Sequence, residues 1–228
     1  MSKRPACAHC LRPQSACICR WITSVAHSVE VLILQHPLEV DNPKGSARLL
    51  HLSLPNSRML TGELFGAQEG LAPPGLHAGS ARHAILLYPD MPSDRASGLP
   101  APPALAPELL HDPARLRLIV LDGTWRKSRK MLHLNPLLQQ LPRLPLQDLP
   151  TSKYLIRRAH RPDQLSTLEA VCAALAQLEG DTEKFRPLLA AFDGFVAQQG
   201  AFAGPHPEAQ KMAGFPLCHM GYQVSNQE

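Results

Sequence analysis

Four short apolar runs punctuate the chain, at Val29–Leu34, Ala84–Tyr88, Leu116–Leu121 and Tyr154–Ile156. Each is strand-sized, rich in branched residues and stopped by proline, glycine or a charged residue, which predicts buried β-strands. Between them the apolar positions shift to helical spacing. Gly45–Leu54 turns Leu49, Leu50 and Leu52 toward a core, and Thr124–Leu134 follows a glycine turn. Thr167–Leu178 carries Leu168, Val171, Leu175 and Leu178 at helical intervals, and Phe185–Gln199 is expected to stop at Gly200. Strands alternating with helices predict an α/β fold with a largely parallel sheet. In such sheets, ligands bind in the loops leaving the carboxyl ends of the strands. Two proline-dense stretches, Ala72–Gly75 and Leu99–Pro107, suit neither a central strand nor a helix interior and read as stiff surface loops.

Composition narrows this picture a little. Of 228 residues, 44% are hydrophobic, enough for a real core. No apolar run approaches the ~20 residues that span a bilayer. The opening residues MSKRPACAHC contain no apolar signal core, so a cytoplasmic protein without a membrane partner is expected. A formal net charge of +4 permits a nucleic-acid partner without demanding one. The expected organisation is a small knuckle over residues 1–24, an α/β domain over 25–203 and a tail over 204–228.

The knuckle is defined by its cysteines. Cys7, Cys10, Cys17 and Cys19 form C-x2-C-x6-C-x-C within thirteen residues. Four thiolates can surround one zinc tetrahedrally, and short spacing lets one tight loop supply a pair. The alternatives are unrelated cysteines or a redox pair at Cys7 and Cys10. Cytosolic thiols stay reduced, and this segment has little apolar content to bury four thiols, which favours metal. A site closed by four cysteines is structural, because catalytic zinc keeps one position open. Cys172 lies on a predicted helix beside Val171 and reads as a small core residue.

The strand Leu116–Leu121 empties into Asp122-Gly123-Thr124-Trp125, then into a basic helix start, Arg126-Lys127-Ser128-Arg129-Lys130. That is where α/β enzymes place function. Gly123 allows a tight turn and close backbone approach, and free amides at the helix start can hold an anion. Trp125 at such a point can pack on a ligand. Equally, Asp122 can be a helix cap and Trp125 a core residue. There is no G-x-G-x-x-G, Walker A loop or H-E-x-x-H, so the usual dinucleotide, nucleotide and metalloprotease sites are unsupported.

At these motifs the chain resembles the DTW-domain family of tRNA-uridine aminocarboxypropyltransferases, named for an Asp-x-Thr-Trp signature. The resemblance is spread along the chain. It begins with Cys7, Cys10, Arg12, Pro13, Cys17 and Cys19, and continues with Leu34-Gln35-His36-Pro37-Leu38-Glu39, Asn42 and Lys44-Gly45-Ser46-Ala47-Arg48-Leu49-Leu50. Leu87-Tyr88-Pro89 and Leu121-Asp122-Gly123-Thr124-Trp125 follow. Tyr154-Leu155-Ile156-Arg157-Arg158 and Leu165-Ser166-Thr167-Leu168-Glu169-Ala170 complete it. The resemblance implies a SPOUT-like parallel sheet with a trefoil knot. It implies S-adenosylmethionine as donor, N3 of a tRNA uridine as acceptor, the 3-amino-3-carboxypropyl chain as the group transferred and 5′-methylthioadenosine as by-product.

On that basis Asp122 is the candidate base or orienting group for the uracil, and Trp125 with Thr124 shapes the pocket for the methionine portion. Tyr88, Pro89, Gly123 and the loop Leu165-Ser166-Thr167 are candidate walls for the rest of the donor. Ser166 and Thr167 also read as a helix N-cap. Arg126, Lys127, Arg129 and Lys130, with Arg157, Arg158 and Arg161, are candidate tRNA contacts. Such runs are also the ordinary solvated faces of helices. The segment His36–Arg48 contacts substrate or braces the pocket. Nothing implies a stable protein partner. The rival readings are a SPOUT-like RNA methyltransferase, a non-catalytic zinc-dependent nucleic-acid-binding module and, last, a thiol oxidoreductase.

Overall fold

A computed structural model describes residues 5–67, 71, 82–146 and 165–203. Its centre is a four-stranded, all-parallel sheet of β1 (Glu30–Gln35), β2 (Ser57–Thr61), β3 (His83–Leu87) and β4 (Leu116–Asp122), in the order β2-β1-β4-β3. The predicted α/β class and parallel sheet are therefore present. All six residues of β1 are buried, as expected for a central parallel strand covered on both faces. The predicted strand Tyr154–Ile156 lies outside the described residues, and so does the proline-rich Ala72–Gly75. The chain path through residues 147–164, on which a knot depends, lies outside them too.

Alternation along the strands sorts the core into two layers. Val31 and Ile33 of β1, Leu118 and Val120 of β4 and Ile85 of β3 face one side. They pack on α1 (Ala47–Ser53), α5 (Thr167–Glu179) and α6 (Arg186–Ala203). Leu32, Leu34, Ile119, Leu121, Ala84 and Leu86 face the other side. There they meet Met131 and Leu132 of α3 (Trp125–Leu134) and Leu138 of α4 (Pro136–Gln139). Each fully buried Leu or Ile contributes about 1.5–3 kcal/mol through removal from water. A one-turn helix, α2 (Pro92–Ala96), follows β3. Beyond α4, Leu86 donates to Pro142 O at 2.9 Å and accepts from Leu144 N at 3.0 Å, extending the sheet edge past β3 by one bridge.

Two expectations about this frame need correction. β2 carried no strong apolar signal, because Ser57–Thr61 is an edge strand with no fully buried residue. The last helix does not stop at Gly200 but runs on to Ala203. The glycine that does end a helix is Gly180, at φ +66° after α5. Leu99–Ala106 has no regular structure and leads into a 3-10 turn at Pro107–His111, consistent with a stiff loop.

The N-terminal cysteine segment is packed onto this core. Cys10 and Ile18 are buried in the same layer as Phe192 and Phe195 of α6. Trp21 packs against Gly194, donates its indole N–H to Gln198, and Gln198 in turn donates to the Cys17 carbonyl at 3.1 Å. A Cβ on Gly194 would sit 2.2 Å from the indole. Gly194→Ala should gain about 1 kcal/mol of helix propensity but lose more by overpacking, which costs about 1–3 kcal/mol and sometimes more. A fall in melting temperature of a few degrees is expected, at about 2–4 °C per kcal/mol for a domain of this size. A rise on thermal denaturation would show that Trp21 is free to move.

Candidate active site

Asp122 is the last residue of β4 and stands in register with Gln35, the last residue of β1. It is 5% exposed. Gln35 Nε2 donates to Oδ2 at 2.9 Å, and the Thr167 hydroxyl donates to Oδ1 at 2.7 Å. Three elements therefore converge on one carboxylate at the carboxyl edge of the sheet: β1, β4 and the first turn of α5. Burial of the charged form is offset by these donors.

Asp122 does not cap α3. Thr124 does, its hydroxyl accepting from Lys127 N at 3.4 Å. Trp125 is not a core residue either, being 50% exposed. Both structural alternatives for these two residues are thus set aside. Gly123 does not occupy the left-handed region. What comes close to it is the protein itself: an added Cβ would stand 3.1 Å from Lys127 Cβ and 3.6 Å from His36 Cβ.

A cleft of about 520 Å³ is lined by Tyr88, Met91 and Asp94, which follow β3, and by Trp125, Arg126, Arg129, Lys130 and His133 of α3; Asp122 is not in its lining. That volume is within the usual range for small-ligand sites. Tyr88 and Trp125 meet edge to face, ring centroids 5.5 Å apart, and form an aromatic wall. Behind it the Arg143 guanidinium lies 5.3 Å above the Tyr88 ring. Burial, then the neighbouring Asp94 carboxylate, pushes the Tyr88 hydroxyl up to about 12, so it stays neutral at physiological pH. Pro89 is exposed and is not in the cleft lining. Ser166 caps α5 in a reciprocal capping box with Glu169, at 3.2 and 2.8 Å, so its side chain is committed to the helix start. Leu165 precedes it, half-buried.

The first basic run is less free than its sequence suggests. Lys127 Nζ is 2.7 Å from the buried Glu39, Arg129 Nε is 3.0 Å from Asp94, and Lys130 Nζ is 2.7 Å from Glu63. Among the described residues, Arg126 is the member of the run without an ion-pair partner. Arg157, Arg158 and Arg161 lie outside the described residues. The segment His36–Arg48 braces the site. His36 Nδ1 accepts from Leu38 N at 3.1 Å, which leaves the proton on Nε2, 2.7 Å from Glu63. The Lys130 ammonium, then His36, holds the Glu63 carboxyl below its usual range. Gln35, Glu63, Asp94 and His133 were not singled out from the sequence. Gln35 carried a signal, as a polar residue closing an apolar strand; the others are pairings across the fold.

The four cysteines converge. Their sulfurs all lie within 4.8 Å of one another, with Cys7–Cys19 at 3.6 Å and Cys10–Cys17 at 3.8 Å. A zinc with four sulfurs at ~2.3 Å places neighbouring sulfurs about 3.8 Å apart, so the set fits a tetrahedral ion. Backbone amides of Cys10 and His9 lower the Cys7 thiol to about 6, while partial burial and the thiols around it raise Cys19 to about 12. The Cys7 thiolate thus forms readily, while that of Cys19 needs a cation. Cys172 is buried in the core and raised to about 12, as an inert thiol should be.

These features define an α/β protein with an open cleft between the chain after β3 and helix α3 of a parallel-sheet fold, and a four-thiol cluster near its N-terminal end. The chain belongs to the DTW-domain family, which it matches over residues 4–200. It is 27% identical over 209 residues to tRNA-uridine aminocarboxypropyltransferase 2 of Macaca fascicularis, covering 87% of this chain and 66% of that protein. It is 28% identical over 194 residues to the Drosophila melanogaster protein of the same name, covering 80% and 70%. It is also 26% identical over 234 residues to tRNA-uridine aminocarboxypropyltransferase A of Arabidopsis thaliana, covering 92% and 86%. The chain thus spans slightly under two thirds of the macaque relative's length. No solved structure matches it significantly. No described helix is long and apolar enough to cross a membrane.

Proposed function

We propose that this chain transfers the 3-amino-3-carboxypropyl group of S-adenosylmethionine to N3 of a uridine in tRNA, with 5′-methylthioadenosine released. The observation that carries the reading is the family signature set at the carboxyl edge of β4, with Asp122 held from two sides by Gln35 and Thr167, and with Trp125, three residues on, lining an aromatic cleft. The names of the relatives support aminocarboxypropyl transfer to a tRNA uridine; the donor and the N3 position are part of the proposal. When bound, S-adenosylmethionine supplies a carbon already activated by an adjacent sulfonium, so the N3–carbon bond forms as the carbon–sulfur bond breaks and its electron pair stays on sulfur.

The protein's share is positioning and one proton. Asp122 accepts the N3 proton or orients the uracil through it. Trp125 and Tyr88 wall the cleft against water and against an adenine or thioether surface. Arg126, exposed in the cleft lining, supplies a cation for a phosphate, and the exposed ion pair of Lys130 with Glu63 can be exchanged for one. Cys7, Cys10, Cys17 and Cys19 hold a structural zinc that has no part in the chemistry.

Trp125→Ala tests the cleft assignment. Half its surface is already in solvent, so folding should be nearly unaffected. Affinity for S-adenosylmethionine, measured by calorimetry, should fall by roughly tenfold, the loss expected for one aromatic contact of about 1–1.5 kcal/mol. Normal donor affinity in the variant would move the donor out of this cleft, and no donor binding by the wild-type protein would favour a non-catalytic RNA-binding module.

A further inference from the structure

Arg12 sits inside the cysteine knuckle, between Cys10 and Cys17, yet its guanidinium reaches the active-site loop. Nη1 donates to the Pro43 carbonyl at 2.6 Å and Nη2 to the Gly45 carbonyl at 2.8 Å. The same group lies 5.2 Å above the Phe195 ring of α6. A rigid fork thus ties the 42–45 turn to the knuckle.

From that turn two short paths lead to either side of Asp122. On one side, Ser46 follows Gly45 directly, and its hydroxyl accepts from Leu168 N at 3.3 Å. The residue before Leu168 is Thr167, whose hydroxyl holds Asp122 Oδ1 at 2.7 Å. On the other side, Asn42 donates to Glu39 Oε2 at 2.6 Å, and Glu39 Oε1 receives Lys127 at 2.7 Å, in the first turn of the helix that opens at Thr124 and Trp125. Asn42 also closes the turn itself, accepting from Gly45 N at 2.9 Å and Lys44 N at 3.0 Å.

We propose that Arg12 is a positioning residue that transmits the order of the four-cysteine knuckle to the Asp122 site through the 42–46 turn. The knuckle then acts on the reaction without touching substrate. Removing the fork frees two carbonyls and lets the turn drift, which loosens the start of α5 at Thr167 and the start of α3 at Lys127. Misplacement of about 1 Å remote from the reacting atoms can cost on the order of 10²-fold in rate.

The test uses the full-length, metal-loaded protein and the variants Arg12→Ala, Arg12→Lys, Thr167→Val and Arg12→Ala with Thr167→Val. Metal stoichiometry should be unchanged in all four. Hydrogen exchange at residues 42–46 and at the Leu168 amide should speed up in Arg12→Ala. Single-turnover transfer should fall about tenfold or more while RNA affinity stays within about twofold, and Arg12→Lys should recover only part, since one ammonium cannot span both carbonyls. Because one of the two paths from Arg12 to Asp122 runs through Thr167, the double variant should lose less than the two single losses combined. Unchanged exchange at Leu168, additive rate losses, or activity lost only in step with metal would each overturn the proposal. The rate arm rests on the proposed reaction and the exchange arm does not. A wild-type protein without transfer activity would therefore count against the reaction alone, and exchange at Leu168 in Arg12→Ala, or in Arg12→Lys if the alanine variant does not fold, would still decide the role of Arg12.

Discussion

Asp122→Asn should bind tRNA and S-adenosylmethionine almost normally and lose turnover on the order of 10²–10⁴-fold, the usual cost of losing a general base. The structure makes this substitution a clean one. Asp122 does not cap α3, so no helix start is weakened. Asn Oδ1 can still accept from the Thr167 hydroxyl. Its amide would meet the Gln35 amide nitrogen, 2.9 Å away, but Gln35 can rotate by half a turn and present oxygen instead. Folding should therefore be little changed while basicity is gone. Raising the pH should restore part of the rate, because solvent then removes more of the uridine N3 proton. Single-turnover rates over a pH series separate the outcomes: a wild-type rate at neutral pH would remove Asp122 from the chemistry.

Loss of the metal is expected to have the largest effect on stability. Structural zinc is worth about 10–16 kcal/mol to isolated zinc fingers at neutral pH. A knuckle already packed on Phe192 and Phe195 depends on only part of that. Cys19→Ser is the variant of choice, since Cys19 is half-buried whereas Cys10 lies in the core. It should abolish stoichiometric zinc and lower the melting temperature by roughly 10 °C, taking about 2–4 °C per kcal/mol. Acid should release the metal as well, because protons compete for all four thiolates. Elemental analysis alongside thermal denaturation checks this. Protein purified without added metal that contains none, with unchanged fold, would contradict it.

Local patterns carried much of this protein. Three strands declared themselves by apolar runs, and each lies within one residue of the expected place. The helix starts at Thr124 and Ser166 were readable because capping chemistry is local. Cys7, Cys10, Cys17 and Cys19 were readable because a metal site built from one loop writes its geometry into its spacing. What stayed hidden is long-range. Ser57–Thr61 pairs only on one edge and so lacks a strand's apolar signature. Thr167 meets Asp122 across 45 positions, and Arg12 meets Gly45 across 33. The basic run after Trp125 reads as open cationic surface because its partners, Glu39, Asp94 and Glu63, lie elsewhere in the chain. Gly200 reads as a helix stop, but it does not take the left-handed turn that Gly180 makes, and the helix runs through it to Ala203.

The most direct measurement is a transfer assay with purified protein, tRNA from a strain lacking it, and S-adenosylmethionine labelled either in the methionine carboxyl carbon or in the methyl group. Digestion to nucleosides and mass spectrometry then report which atoms arrive. The expected product is a uridine heavier by one aminocarboxypropyl group, carrying the carboxyl label and not the methyl label, with one equivalent of 5′-methylthioadenosine. A nucleoside carrying the methyl label alone would make the protein a methyltransferase. RNA and donor bound with no label transferred would contradict the assignment as an enzyme of either kind.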